Sequence, residues 1–204
     1  MLNIKRRVKE KAIRIKLENM TNKIKKQLKT HDFTVISQNC IGGVFYHDMG
    51  LKFLSPTIDL YIPEPDFIKF ISNLEYYINT DLEISDGENY PIGLLGGDIN
   101  IHFMHYTTCS EARDAWYRRK MRINWNKMII LSTDRDGFND EIFEQWKKIK
   151  YPKVLFTSNE KYVREEDSVF YPQYASNGFV PDLIPKREFY KDNKLLNIIN
   201  SMNK

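Results

Sequence analysis

The segment "MIILSTDRDG" (128–137) runs an apolar stretch into a turn that carries Asp134, Arg135 and Asp136. Two carboxylates two residues apart on a strand-end loop can share Mg²⁺ or Mn²⁺, hard cations that take oxygen ligands and bridge a diphosphate. Either aspartate could instead serve as a general base. A structural reading stands beside these, with Asp134 paired to an arginine and Asp136-Gly137 forming a turn. Just upstream, "EARDAWYRRKMRINWNK" (111–127) sets six basic side chains around Trp116 and Trp125. Guanidinium groups capture phosphate or carboxylate through paired N–H donors, which makes Arg118, Arg119 and Arg122 candidate anion binders, with Trp116 and Asn124 beside them. A solvated basic helix face with Trp116 in the core is the alternative.

A third set lies in "SQNCIGGVFYHDMG" (37–50), where Asn39, Cys40, Gly42 and Gly43 could line a pocket. The glycine pair would let backbone N–H groups approach a phosphate, but neither nucleotide fingerprint, GxGxxG or GxxxxGK[ST], is present. Cys40 would need a nearby base to act as a nucleophile, and a buried cysteine is more often inert packing. His102 and His105 fall on opposite faces of a strand, which argues against a joint metal site and leaves one of them to act as acid or base. His105 is the candidate for that role.

These residues need elements to position them. "FTVIS" (33–37), "TIDLYI" (57–62), "DINIHFMHY" (98–106), "MIILS" (128–132), "KVLFTS" (153–158) and "SVFY" (168–171) read as strands. Apolar spacing predicts helices over 66–78, 108–122 and 140–149, the second capped by Ser110. Alternation of this kind predicts an α/β fold in three layers: a mostly parallel, Rossmann-like sheet with helices on both faces. Ligands then collect at the carboxyl ends of the strands, where "SQNCIGG", "PEPD", "STDRDG" and "TSNEK" lie. The Pro-, Tyr- and Asn-rich tail reads as irregular.

The chain divides into a basic arm, residues 1–30, and an α/β unit, residues 31–204. The arm holds eleven Lys and Arg against two Glu, a balance of +9; with a total of +4, the remainder carries −5. "IKRRVKEKAIRIKLENMTNKIKKQLK" contains no Gly, Pro or aromatic residue. Ile13, Leu17, Met20, Ile24 and Leu28 form one stripe of a helix. Such a helix can rest on an anionic membrane surface or pack on protein. Nucleic acid is the less expected partner, because nothing in the arm can stack on bases. No run reaches ~18 apolar residues and no secretory leader pattern is seen, which predicts a cytoplasmic chain, peripheral at the inner face of the plasma membrane if the arm anchors it. Two distant cysteines fit a reducing compartment.

The ordered motifs "FTVISQNCIGGVFYHDMGLKFLSPTIDLYIPEPDFIKFISNLEYY", "YPIGLLGGDINIHFMHY", "RRKMRINWNKMIILSTDRDG" and "PKVLFTSNEKY" resemble a bacterial family known as domain of unknown function nineteen-nineteen and often described as exopolysaccharide biosynthesis proteins. The likeness covers roughly residues 33–175 and leaves the arm outside. Its recurring positions match Asn39, Cys40, Ser55, Pro56, Trp116, Arg118, Arg119, Asn124, Trp125, Asp134, Arg135, Asp136 and Gly137. The resemblance implies an α/β globule in the setting of capsule or exopolysaccharide assembly; it supplies no reaction. The expectation is a transferase, most simply for glycosyl transfer from an anionic activated sugar or to a lipid-linked glycan, with Mg²⁺ or Mn²⁺ as the conceivable cofactor. The alternatives are an acyltransferase with a histidine base and a non-catalytic glycan-binding accessory protein. The transferase expectation requires the guanidinium cluster and the aspartate turn to meet in one crevice.

Overall fold

Short runs of β-branched and aliphatic residues build the central sheet of the computed structural model, which describes residues 2–202. In chain order, α1 (Leu2–Gln27) leads into β1 (Thr34–Ser37) and α2 (Ile41–Met49); α3 (Glu64–Ser72) and α4 (Leu74–Asn79) precede a meander of β2 (Leu82–Ser85), β3 (Ile92–Leu95) and β4 (Ile99–His102). Then come α5 (Cys109–Lys120), β5 (Met128–Thr133), α6 (Asp140–Lys148), β6 (Lys153–Thr157), β7 (Ser168–Phe170) and α7 (Lys194–Ser201). The main sheet has the order β1-β5-β6-β7 and every pairing is parallel, with Val35 opposite Ile129 and Phe156 opposite Val169. β1, β5 and β6 are buried at every residue, as strands covered on both faces must be.

Alternation along these strands divides the core. Ile36, Ile130 and Leu155 face one layer, with Phe67 and Phe70 of α3, Trp116 of α5 and Trp146 of α6. Val35, Ile129, Leu131, Val154 and Phe156 face the other, with Phe45 and Tyr46 of α2 and Leu195, Leu196 and Ile199 of α7. The β2-β3-β4 meander is antiparallel and adds Leu82, Leu95, Ile99 and Ile101 to the first layer. The three-layer α/β architecture is therefore as the alternation predicts, with a second, smaller sheet beside it.

Several local expectations are corrected. "TIDLYI" is not a strand: Ile58, Leu60 and Ile62 are buried in alternation, but Asp59 turns left-handed at φ 62° and a lone bridge, Tyr61 to His102, is all the ladder that forms. The helix expected over 66–78 starts at Glu64 and breaks at Asn73 (φ −133°, ψ 46°). Thr108, not Ser110, caps α5, its side chain accepting from the Glu111 N–H. The tail is less irregular than its composition suggests, because α7 buries Leu195, Leu196 and Ile199 while Arg187 and Tyr190 clasp the Asp48 carboxylate of α2.

The arm is a helix, and only its end is attached. Ile24 and Leu28 are buried against the second layer, and Asn200 of α7 holds the exit through the Lys29 N–H and the Gln27 carbonyl. Upstream the same stripe runs out of protein to cover: Ile13 is 48% exposed. The part before Met20 overhangs by about 27 Å, at 1.5 Å per helical residue. Among the described residues no helix is long and apolar enough to cross a membrane.

If α7 seals the second layer, Ile199→Ala should lower stability by about 2–4 kcal/mol, the range for truncating a buried isoleucine. Urea denaturation reads this directly, and a change under ~0.5 kcal/mol would detach α7 from the core.

Candidate functional site

At the carboxyl ends of β1 and β5 the chain opens a cleft of about 560 Å³. The strand order runs one way without reversal, so the usual crevice at a reversal of order is not what opens it. Instead Asn39 and Cys40 turn from β1 into α2, the left-handed Asp59 swings the 59–61 segment outward, and the β5 loop adds Arg135 and Asp136. Met104 and His105 beyond β4 and Asp182 and Ile184 of the tail complete the wall, with Val44 of α2. A larger hollow of about 700 Å³ lies by α3 and α6 and is lined by Gln145, Lys148, Lys150 and Tyr151 among others. It sits just ahead of β6, at the amino ends of the strands, and brings no acid–base pair together. The smaller cleft is the candidate site because the chemistry converges there.

Asp134 explains the loop's geometry. Its carboxylate is buried and accepts four hydrogen bonds: Oδ2 from the Thr157 hydroxyl (2.8 Å), the Ser158 N–H (2.7 Å) and the Ser158 hydroxyl (3.3 Å), and Oδ1 from the Val180 N–H (2.7 Å). With Asp134 turned inward, its neighbours face out. Asp136 is exposed in a left-handed conformation (φ 55°), and its carbonyl accepts the Glu64 N–H at 3.1 Å. The expectation that Asp134 and Asp136 share a cation does not fit this donor set, since Asp134 has both oxygens engaged. Among the described residues no three His, Cys, Asp or Glu converge as a metal site.

The guanidinium cluster and the aspartate turn do not meet in the cleft. Arg118 is exposed on α5, and Arg122 donates to the Phe53 carbonyl at 3.5 Å. Arg119 is buried, lying over the Phe53 ring and bonded to the Ile58 carbonyl (3.2 Å) and the Tyr106 hydroxyl. Its Nη2 reaches Asp59 Oδ2 at 3.7 Å, so it supports one cleft carboxylate from behind. Trp116 is core, edge-on to Phe103. Asn124 lies at the other rim, joining Asp32 and Thr34 at the start of β1. Arg135 is the cation of the cleft. Its guanidinium lies 5.9 Å from the Phe179 ring centroid and makes no ion pair among the described residues.

Gly42 and Gly43 also serve packing. A Cβ on Gly42 would stand 2.8 Å from the Ser37 Cβ, and one on Gly43 3.3 Å from Ile58 Cγ2, so α2 lies hard against its neighbours. The N–H groups of Ile41 and Gly42 are taken by Asn39 Oδ1 and Ser37 Oγ. Burial, with the Asp59 and Asp182 charges, pushes the Cys40 thiol up to about 11, so it stays protonated and weakly nucleophilic at neutral pH. Tyr61 stacks on His102 with centroids 4.3 Å apart, and burial lowers the His102 titration, keeping that ring neutral. Sequence reasoning missed Asp59, Tyr61, Asp182 and the apolar Val44, Met104 and Ile184. Only Asp59 carried a signal, an acid on the outward face of the alternation set by Ile58, Leu60 and Ile62.

An open parallel sheet, two covering layers and a cleft at the carboxyl ends of β1 and β5 define a Rossmann-like α/β protein with a loop-built site. The chain belongs to the family described as a domain of unknown function, DUF1919, whose sequence profile matches residues 10–203. That span takes in most of the arm and the tail, both beyond the 33–175 resemblance. A protein of Haemophilus influenzae described as uncharacterized is 35% identical over 136 residues, 66% of this chain and 66% of its own length.

Two measurements check the geometry. Asp134→Ala strands four donors and should lower stability by about 2–4 kcal/mol, whereas exposed Asp136→Asn should stay within about 0.5 kcal/mol; equal effects would refute the division of labour. The second concerns Glu64, wholly buried, which accepts from Ser132 Oγ (2.9 Å) and whose Oε1 has no hydrogen-bond partner among the described residues. Burial drives its carboxyl well above the usual range, against the Ser132 hydrogen bond that pulls it down. The folded state thus keeps a proton that the unfolded chain releases, so this contribution is complete at low pH and fades as pH rises toward the folded value. Glu64→Gln preserves the neutral shape. Its Tm should match the parent near pH ~4 and exceed it at pH ~7; a Tm below the parent at neutral pH would mean Glu64 is needed as an anion.

Proposed function

We propose that the cleft binds a glycan and that the protein is a glycosyltransferase of bacterial surface-polysaccharide assembly, working in the cytoplasm. The Arg118, Arg119 and Arg122 cluster that the transferase expectation required lies outside the cleft, so the reading rests on another cation: the Arg135 guanidinium, without an ion pair among the described residues, beside the outward Asp136 carboxylate. A carboxylate and a guanidinium are the two charges a glycosyl transfer needs. Asp136, or His105 across the lining, accepts the proton of an acceptor hydroxyl as its oxygen bonds to the anomeric carbon. The bond to the leaving phosphate breaks with its electron pair, and Arg135 neutralises the oxyanion. Asp59 and Asp182 accept hydrogen bonds from sugar hydroxyls, and Arg119 steadies Asp59. No step needs a metal bridge between Asp134 and Asp136.

The second reading is a glycan-binding accessory protein, favoured by Arg118, Arg119 and Arg122 lying outside the cleft. A nucleophilic role for Cys40 loses ground because its thiol is protonated at neutral pH. One experiment separates the readings. In wild type, oligosaccharides or sugar phosphates should raise Tm, and Asp136→Asn should cut transfer or polysaccharide output by about 100-fold or more while keeping the ligand-induced shift. Normal output both in this variant and in His105→Ala leaves the binding reading, and no shift with any glycan removes both.

A further inference from the structure

The cleft has more apolar surface at its mouth than a sugar uses. Val44, Met104 and Ile184 line it, Met104 is 40% exposed, and Phe179, 47% exposed, packs against the Arg135 guanidinium. Large apolar side chains left in water beside a charged group mark a place where an apolar partner lies. Resting on the glycan reading above, we infer that the ligand is a sugar phosphate carried on a long apolar chain, a lipid-linked donor or acceptor.

Each part of such a molecule meets a matching group. One phosphate needs one guanidinium, and Arg135 is the single arginine or lysine of the lining. A nucleoside diphosphate would ask for a second cation, a metal bridge or a glycine cradle, but Asp134 is engaged in its four hydrogen bonds and Gly42 is spent on packing. The sugar hydroxyls reach Asp59 and Asp182. The chain lies over Val44, Met104, Ile184 and Phe179. An independent feature agrees: the overhang of α1 exposes Arg7, Lys11, Arg14 and Lys16 with Ile13, cations with aliphatics and no aromatic ring. That composition matches an anionic lipid surface, where lipid-linked sugars reside.

The test uses the full chain and four probes below their micelle concentrations: glucose 1-phosphate, farnesol, farnesyl phosphate and farnesyl phosphoglucose, with Kd measured by calorimetry. Farnesyl phosphoglucose should bind at least ~10-fold more tightly than glucose 1-phosphate, because burying a few methylenes suffices for that. Arg135→Gln should erase the advantage of farnesyl phosphate over farnesol. Met104→Ser with Phe179→Ser, both at exposed positions, should remove most of the chain's gain, bringing the affinity for farnesyl phosphoglucose close to that for glucose 1-phosphate measured on the same variant. Equal affinity for glucose 1-phosphate and its lipid form overturns the inference while sparing the glycan reading. Farnesyl phosphate binding to which glucose adds nothing overturns both, and so does the absence of binding by all four.

Discussion

Four donors converging on the Asp134 carboxylate fix the geometry at the carboxyl rim of the sheet. The knot joins the end of β5 to the end of β6 through Thr157 and Ser158, and both to the tail through the Val180 N–H. A buried anion is tolerable only when so fully bonded. Once Asp134 is committed inward, the next two side chains must leave the sheet, and the left-handed Asp136 and Gly137 let the loop return to α6. Arg135 and Asp136 therefore owe their position to a residue that does not itself line the cleft. The same knot draws in the tail, which is how Asp182 and Ile184 come to wall a cleft whose floor lies about 45 residues earlier in the chain.

The amino rim has its own clasp, and it uses the basic segment that looks most like a binding site. Asn124 bridges Asp32 and Thr34, fixing the register in which β1 and β5 begin. Arg119 is used in the interior: Phe53 and Tyr106 flank it, Ile58 gives it a carbonyl, and Asp59 balances its charge. Burying a guanidinium costs several kcal/mol unless its donors are filled, so this arginine is held in place by its surroundings and can act only through Asp59. A cluster of cations along a sequence thus separates into a clasp, a core strut and a solvated face.

The fold was legible because it rests on local patterns. Continuous apolar runs at 128–131 and 154–156 alternate with amphipathic helices, and each run implies burial on both faces. The carboxyl-rim loops followed from that, and Asn39, Cys40, Arg135 and Asp136 of two of them line one cleft together with His105. What failed depends on contacts between distant residues. Whether Asp134 faces in or out is decided by Ser158 and Val180, about 24 and 46 residues away. Asp182 belongs to a tail whose composition suggests no order, and the order comes from Asp48 and α7. Periodicity also misread 57–62, because alternate burial needs only an extended chain, and one left-handed residue keeps that chain off the ladder.

The arm and the cleft mouth raise one question from two sides. The two acids of α1, Glu10 and Glu18, are each paired one turn back, with Arg6 and Arg14, so the overhang presents little but positive charge. A helix of that charge would be drawn toward a body carrying −5, yet Asn200 and the buried Ile24 and Leu28 set its exit and hold it away. Rigidity here wins over attraction, since exposed charges beyond about 10 Å are largely screened at physiological salt. A water-soluble ligand accounts for neither this projecting cationic helix nor the bare Met104 and Phe179 at the cleft. The ligand we infer, an apolar chain met at an anionic interface, would account for both. The helix that receives the arm, α2, also gives Val44 to the cleft, so whatever fixes the arm acts on an element of the site.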